Sequence, residues 1–359
     1  MASGAGPDED SDRRNVSDAT GVVVLGACAA WSLISAGVHG GRPEGVLLAV
    51  LAVAAGYAVG RIGGALLPVA APCAGALAGV TLTLAVPQLA PGPQLVAPLG
   101  HAGATAAVLT LSAGAACCAA WSARSPLPRL GLRVLAAGIA VTAAVLGSTS
   151  GFALCTAVLL CSLAAAQVRR GVGIAGLAVA ALAVTGLTWA VAERAVPGGL
   201  GGWLEGQLTR QRVGLWHDAL RLAGHDPALG VGPGRFGEAG GTAGGTAGGL
   251  VLADARPHSA PLQQAAEQGI VGLLLLAAAF SWMLFALWRT RRPTPVALTA
   301  GATLTAVAAI AAVGNALSFT AVSVGAGLLA GLATARPLTL ESSRSREAPA
   351  RARDGHPVP

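Results

Sequence analysis

Apolar runs close to twenty residues long recur along this chain, and no other feature restricts its fold so severely. Coiled as an α-helix, such a run matches the ~30 Å hydrocarbon core of a bilayer. A helix also satisfies its backbone N–H and C=O groups internally, as that environment requires. The runs predict an all-α, polytopic membrane protein with about ten transmembrane helices, over 20–38, 45–60, 65–86, 102–121, 131–148, 151–168, 172–192, 269–288, 296–314 and 316–335. Composition agrees: 54% of residues are hydrophobic and 11% charged, against about a quarter charged in an ordinary soluble domain.

Arginine placement orients these spans. With the N-terminus inside, 16 of the chain's 23 arginines fall in cytoplasmic segments. Of the other seven, six lie in the long loop 193–268 and Arg42 alone sits in a short outer loop. Long loops cross regardless of charge, so the informative short-loop score is 16 to 1, as the positive-inside rule demands. The expected organisation is a disordered cytoplasmic tail over 1–19, seven spans over 20–192, an extracytoplasmic loop 193–268, three spans over 269–335 and a disordered basic cytoplasmic tail over 336–359. The N-terminal tail is too acidic for a signal peptide. A net charge of +7 without a dense basic patch bearing aromatics excludes nucleic acid as a partner. Cys28, Cys73, Cys117, Cys118, Cys155 and Cys161 all lie in apolar segments with no metal spacing, and read as small core residues.

The loop 193–268 concentrates what chemistry the chain has: seven acids, six arginines and three of six histidines. "GGTAGGTAGG" at 240–249 is a flexible tether by composition. Residues 204–223 read as an amphipathic helix lying in the membrane interface, with Trp216 at headgroup depth. Arg212 breaks the pattern by projecting from the apolar arc. It either grips a phosphate bidentately or snorkels to lipid headgroups, and periodicity leaves both open. Asp226-Pro227 signals a turn, followed by Gly230, Gly232 and Gly234. These glycines either let backbone approach a ligand or fold the loop back on itself, and their spacing favours the second. They do not form GxGxxG after a strand, so a dinucleotide site is unsupported.

Ser259 is the expected N-cap of the next helix, with Pro261 in its first turn. His258 then stands at the positive end of a helix dipole, with Arg256 two residues before it. Both disfavour imidazolium and leave a neutral ring able to accept a proton; the plainer alternative is a satisfied interfacial histidine. The loop lacks DxD, HExxH and GxSxG, which argues against metal or Ser-His-Asp chemistry. A base beside guanidinium groups suits a reaction whose leaving group is a lipid diphosphate.

The stretches R-V-G-L-W-H-D-A-L-R-L-A-G-H-D-P-A-L-G-V-G-P-G-R-F (212–236) and H-S-A-P-L-Q-Q-A-A-E-Q-G-I-V-G (258–272) resemble the large-loop signature of the O-antigen ligase and polymerase superfamily. That pattern runs Arg-x3-Trp, then Pro-x2-Gly-x-Gly-x-Gly-x-Phe, then His-(Asn/Ser)-x2-Leu-x3-Ala-Glu-x-Gly-x2-Gly before a helix. The likeness covers about 60 residues. It implies a metal-independent, inverting membrane glycosyltransferase that needs no cofactor. Its donor is a polyprenyl-diphosphate-linked glycan, and its acceptor is a glycan, lipid or protein hydroxyl. His258 looks like the family's general base and Arg212 like its donor-diphosphate arginine. Trp216, Pro227, Gly230, Gly232, Gly234, Phe236, Glu267 and Gly269 match the motif as structural positions. The chain departs from the family in having Thr149 where a further arginine stands, ten helices where about twelve are common, and the glycine tether. One phosphate contact is then either absent or supplied by Arg210, Arg256 or Arg235. The competing readings are a protein O-oligosaccharyltransferase of the same superfamily, a non-catalytic assembly scaffold, and a flippase. A flippase places ionisable residues at the midplane of its helices, where this chain offers only Asn315 as a strongly polar candidate.

Overall fold

A computed structural model describes residues 7–85, 98–193, 210–239 and 257–336. Every regular element among them is helical: α1 Pro7–His39, α2 Glu44–Leu66, α3 Ala70–Ala85, α4 Pro98–Ser122, α5 Pro126–Val145, α6 Thr149–Ala164, α7 Arg170–Ala192, α8 Arg210–His225, α9 Phe236–Ala239, α10 Ala260–Arg289, α11 Thr294–Val313 and α12 Thr320–Thr334, with a 3₁₀ turn at Ala316–Ser318 before α12. A helix stands at each expected span, and seven are long and apolar enough to cross a membrane. The other three, α3, α6 and α12, have 16, 16 and 15 residues. At 1.5 Å per residue they reach only about 22–24 Å, short of a ~30 Å core. Two further expectations are corrected. The tail 1–19 is helical from Pro7 onward, with a proline as the first helical residue of α1. The fifth helix begins at Pro126 rather than 131, with prolines in its first turn. The glycine tether and residues 337–359 lie outside the described residues.

The helices sort by how they face lipid. α4 and α11 are buried nearly all round, with Ala104, Ala106, Ala107, Leu109, Ala297 and Ala300 at or near zero exposure. Helices apolar on every side belong at a bundle's centre. α1, α2, α5 and α7 carry most of the exposed large apolar residues, among them Val22, Leu51, Val134 and Leu182. An apolar surface of that extent is what a bilayer covers.

With no hydrophobic drive between helices inside lipid, small residues that admit close approach decide the packing. Gly56, Gly60 and Gly64 of α2 meet α12 in parallel. A Cβ on Gly60 would sit 2.2 Å from the Leu328 carbonyl oxygen, and one on Gly331 would sit 2.2 Å from that of Tyr57. Buried Arg292 ties off this pair: its Nε donates to the Ala335 carbonyl (2.7 Å) and its Nη2 to that of Gly64 (2.8 Å). Burial pulls that guanidinium below its ordinary pKa. α1 runs antiparallel along α10. Trp282 Nε1 donates to the Ser17 carbonyl (2.9 Å) near one end, and Trp31 Nε1 to that of Gln268 (3.0 Å) near the other. These two helices carry the loop at one end.

Candidate functional site

The site is built on a break in α10. Gly269 adopts φ 66°, ψ −166°, a conformation nearly reserved for glycine, and interrupts the helix ten residues in. A break exposes backbone groups that must find partners elsewhere. They find them in the segment 227–232. Val231 N–H donates to the Ala266 carbonyl (2.9 Å), Gly232 N–H to that of Glu267 (2.9 Å), and Ile270 N–H to that of Pro227 (2.8 Å). With Trp31 on the Gln268 carbonyl, the carbonyls of residues 266–268 are all satisfied. The helix therefore opens and the loop closes it.

The three alternating glycines serve this clasp, with φ 68°, 97° and 73° at Gly230, Gly232 and Gly234. A Cβ on Gly230 would lie 2.5 Å from the Glu267 carbonyl carbon, and one on Gly269 would lie 2.4 Å from the Ala228 carbonyl oxygen. Of the two readings that their spacing left open, the packing is that of a loop folded back on the helix. Glu267 is buried against it: Oε2 accepts from Gly234 N–H (3.0 Å) and Oε1 from Gln263 Nε2 (3.2 Å). Pro227 lies within a turn that the Asp226 side chain closes, its Oδ1 accepting from Leu229 N–H (3.1 Å).

α8 packs onto this frame through an apolar cluster of Leu215, Trp216, Ala219, Leu222, Phe236 and Leu262, with Val191 and Ala192 from α7. Trp216 is fully buried there, and so is Phe236. The expected interfacial helix is corrected on this point. Trp216 does not reach headgroups, because its arc covers the protein's own α7 and α10, and its Nε1 donates to the Pro257 carbonyl (2.6 Å). That bond fixes where the second motif sits. His258 follows immediately, half-buried and at φ 47°, the one non-glycine residue with positive φ among the described residues. Strain of this kind costs about 1–3 kcal/mol and persists where surrounding contacts hold it. Arg212 stands one helical turn before Trp216 on α8, about 6 Å along the axis. The hydrogen bond thus draws the backbone of the Arg-x3-Trp helix and the backbone at His258 to one place.

Arg210 also stands in the first turn of α8. Arg256 lies outside the described residues, as do the side chains of Arg210 and Arg212. Arg235 Nη1 donates to the carbonyl of His39, the last residue of α1, where a cation complements the helix dipole. Ser259 occupies the N-cap position of α10, but its buried hydroxyl makes no capping bond. Thr149 opens α6 behind Ser148, whose Oγ accepts from Gly151 N–H (3.1 Å). Beside it, Ser150, Leu154, Val184 and Val313 line an apolar cavity of about 200 Å³. Val313 also packs against the Trp216 cluster, so the cavity borders the loop. Among the described residues no group of three or more His, Cys, Asp or Glu side chains is placed to hold a metal ion.

The end of α1 also belongs to this frame, and no motif pointed to it. His39 Nε2 lies 3.5 Å from Asp226 Oδ2, Ser35 Oγ donates to the Leu229 carbonyl (2.9 Å), and Arg42 N–H donates to that of Pro233 (2.7 Å). The available signal was the polar string His39-Gly40-Gly41-Arg42 after an apolar span. Against known proteins, the chain matches no family model, no curated protein and no solved structure.

Proposed function

We propose that this chain is a membrane glycosyltransferase of the O-antigen ligase and polymerase type. It moves a glycan from a polyprenyl-diphosphate carrier to an acceptor hydroxyl at the outer face of the cytoplasmic membrane. The observation that carries this reading is the Trp216 Nε1 to Pro257 hydrogen bond, 2.6 Å long and fully buried, which joins the two halves of the motif. It brings the chain position of a guanidinium and that of an imidazole together at one end of membrane-length helices. The apolar cavity beside them offers room for part of an isoprenoid chain.

In this reaction His258 accepts the proton of the acceptor hydroxyl. The freed oxygen attacks the anomeric carbon as the bond from that carbon to the diphosphate oxygen breaks. Attack opposite the leaving group inverts the anomeric configuration. The lipid diphosphate departs with its negative charge met by Arg212, and Arg210 and Arg256 lie close enough in sequence to add to it. Such charge stabilisation is commonly the largest contribution to a reaction of this kind. The 16-to-1 arginine asymmetry of the short loops gives the orientation, with both termini cytoplasmic. The gathering of Arg61, Arg289, Arg291 and Arg336 at the end opposite the loop supports it.

Transfer in vitro from a synthetic polyprenyl-diphosphate glycan tests the reading. Purified wild type should form product, and Arg212→Ala should lose about 10²-fold or more in kcat/KM. A wild-type protein that binds donor without transferring it would mark a scaffold instead.

A further inference from the structure

Trp189 stands at the loop end of α7, where a membrane helix commonly places an aromatic ring to anchor itself among headgroups. Its surroundings do not suit that task. The indole N–H, the group an anchor turns toward headgroups, donates instead to Glu193 Oε1 (2.9 Å). Glu193 caps the C-terminus of α7, the negative end of the helix dipole, where a carboxylate is the unfavourable charge. It would also repel the phosphates of a lipid surface. Among the described residues no ion pair with a cation offsets it.

The Trp189 ring is half-buried, packed on one side against the Trp216 cluster. The bond to Glu193 fixes its plane. Beside it, His217 of α8 is exposed, and its Nδ1 lies 3.4 Å from the Ala192 carbonyl, an oxygen that can only accept. With Nδ1 donating, the neutral imidazole keeps Nε2 as an acceptor. Exposed Glu193 likewise keeps Oε2 for a second donor. The result is a flat, oriented apolar face flanked by hydrogen-bond acceptors. A pyranose presents the complement, with a face of C–H bonds above an electron-rich ring and a rim of hydroxyl donors.

We propose that Trp189, Glu193 and His217 form a platform that binds an uncharged saccharide unit of the glycan. This rests on the transfer reading, which is what brings a saccharide to that surface. His217 directly follows Trp216, whose indole reaches the Pro257 carbonyl beside His258, so the platform flanks the proposed reaction centre.

The full chain in nanodiscs provides the test, with phosphate-free maltotriose and N,N′-diacetylchitobiose followed by saturation-transfer NMR. Wild type should saturate at least one of them, most strongly at the C–H protons of one pyranose face. Trp189→Leu keeps an apolar side chain against the cluster and should weaken binding on the order of tenfold. Glu193→Gln keeps an oxygen for the indole and should weaken it about threefold or more. Trp288→Leu changes an exposed tryptophan at the far end of α10 and should leave binding unchanged. Quenching by brominated phosphatidylcholine separates a platform from a lipid anchor: the fluorescence lost in Trp189→Leu should be weakly quenched. Saturation of neither saccharide, an equal loss in Trp288→Leu, or strong lipid quenching of Trp189 overturns the platform. So does displacement of the saccharide by equimolar ethanolamine, since the acid and the ring would then serve a headgroup ammonium. Free saccharide binds without diphosphate or His258. Transfer without this binding therefore refutes the platform alone, and binding without transfer refutes the transfer reading alone.

Discussion

Replacing Gly269 with alanine should do more damage than any ordinary glycine-to-alanine change in a helix. The added Cβ meets the Ala228 carbonyl oxygen at 2.4 Å and its carbon at 2.5 Å, both backbone atoms that cannot rotate away. The φ of 66° with ψ of −166° adds strain of about 1–3 kcal/mol for any residue with a side chain. Relieving the overlap means moving 227–232 off the break, which gives up three backbone hydrogen bonds of about 0.5–1.5 kcal/mol each. The combined loss is roughly 3–6 kcal/mol, concentrated in the clasp. Hydrogen exchange on the protein in nanodiscs would read it locally: Val231, Gly232 and Ile270 amides should lose protection while those of α4 and α11 keep theirs. Gly37→Ala is the control, since nothing lies within 4 Å of its added Cβ, and it should change stability by no more than about 1 kcal/mol. Unchanged protection at Val231, Gly232 and Ile270 in Gly269→Ala would refute the clasp.

Two further outcomes follow from the same frame. Trp216→Phe keeps an aromatic in the cluster but leaves the Pro257 carbonyl without its indole donor, a loss of about 1–3 kcal/mol in that bond and its desolvation; kcat of glycan transfer should fall at least about tenfold with helicity by circular dichroism unchanged. Arg235→Gln should lower the thermal unfolding midpoint through the lost contact to the His39 carbonyl, while KM for the lipid-linked donor stays within about twofold of wild type, because the proposed diphosphate contacts are Arg212, Arg210 and Arg256.

Much of the architecture is legible in the sequence because membrane helices are specified by local length and apolarity. Each expected span has its helix, and α8 begins inside its amphipathic stretch and ends two residues past it. What the sequence leaves out is non-local. Nothing in the periodicity of 204–223 says whether its apolar arc faces lipid or α7 and α10, so Trp216 reads as an interfacial anchor although it is a core residue. The break at Gly269 is invisible in an apolar run, because its satisfaction by Val231, Gly232 and Pro227 depends on residues some forty positions away. His39 and Arg42 carry no motif, yet the end of α1 is one wall of the frame. The polar start of the chain reads as a disordered tail, although the backbone is helical from Pro7.

Whether the imidazole moves a proton in glycan transfer is decided by one assay: purified wild type and His258→Ala given the same polyprenyl-diphosphate glycan and acceptor, with rate and anomeric configuration followed by NMR. Wild type should yield the inverted linkage, and His258→Ala should lose about 10²–10⁴-fold in kcat while still binding donor. Full transfer by His258→Ala, or a retained anomeric configuration in the wild-type product, would contradict the mechanism.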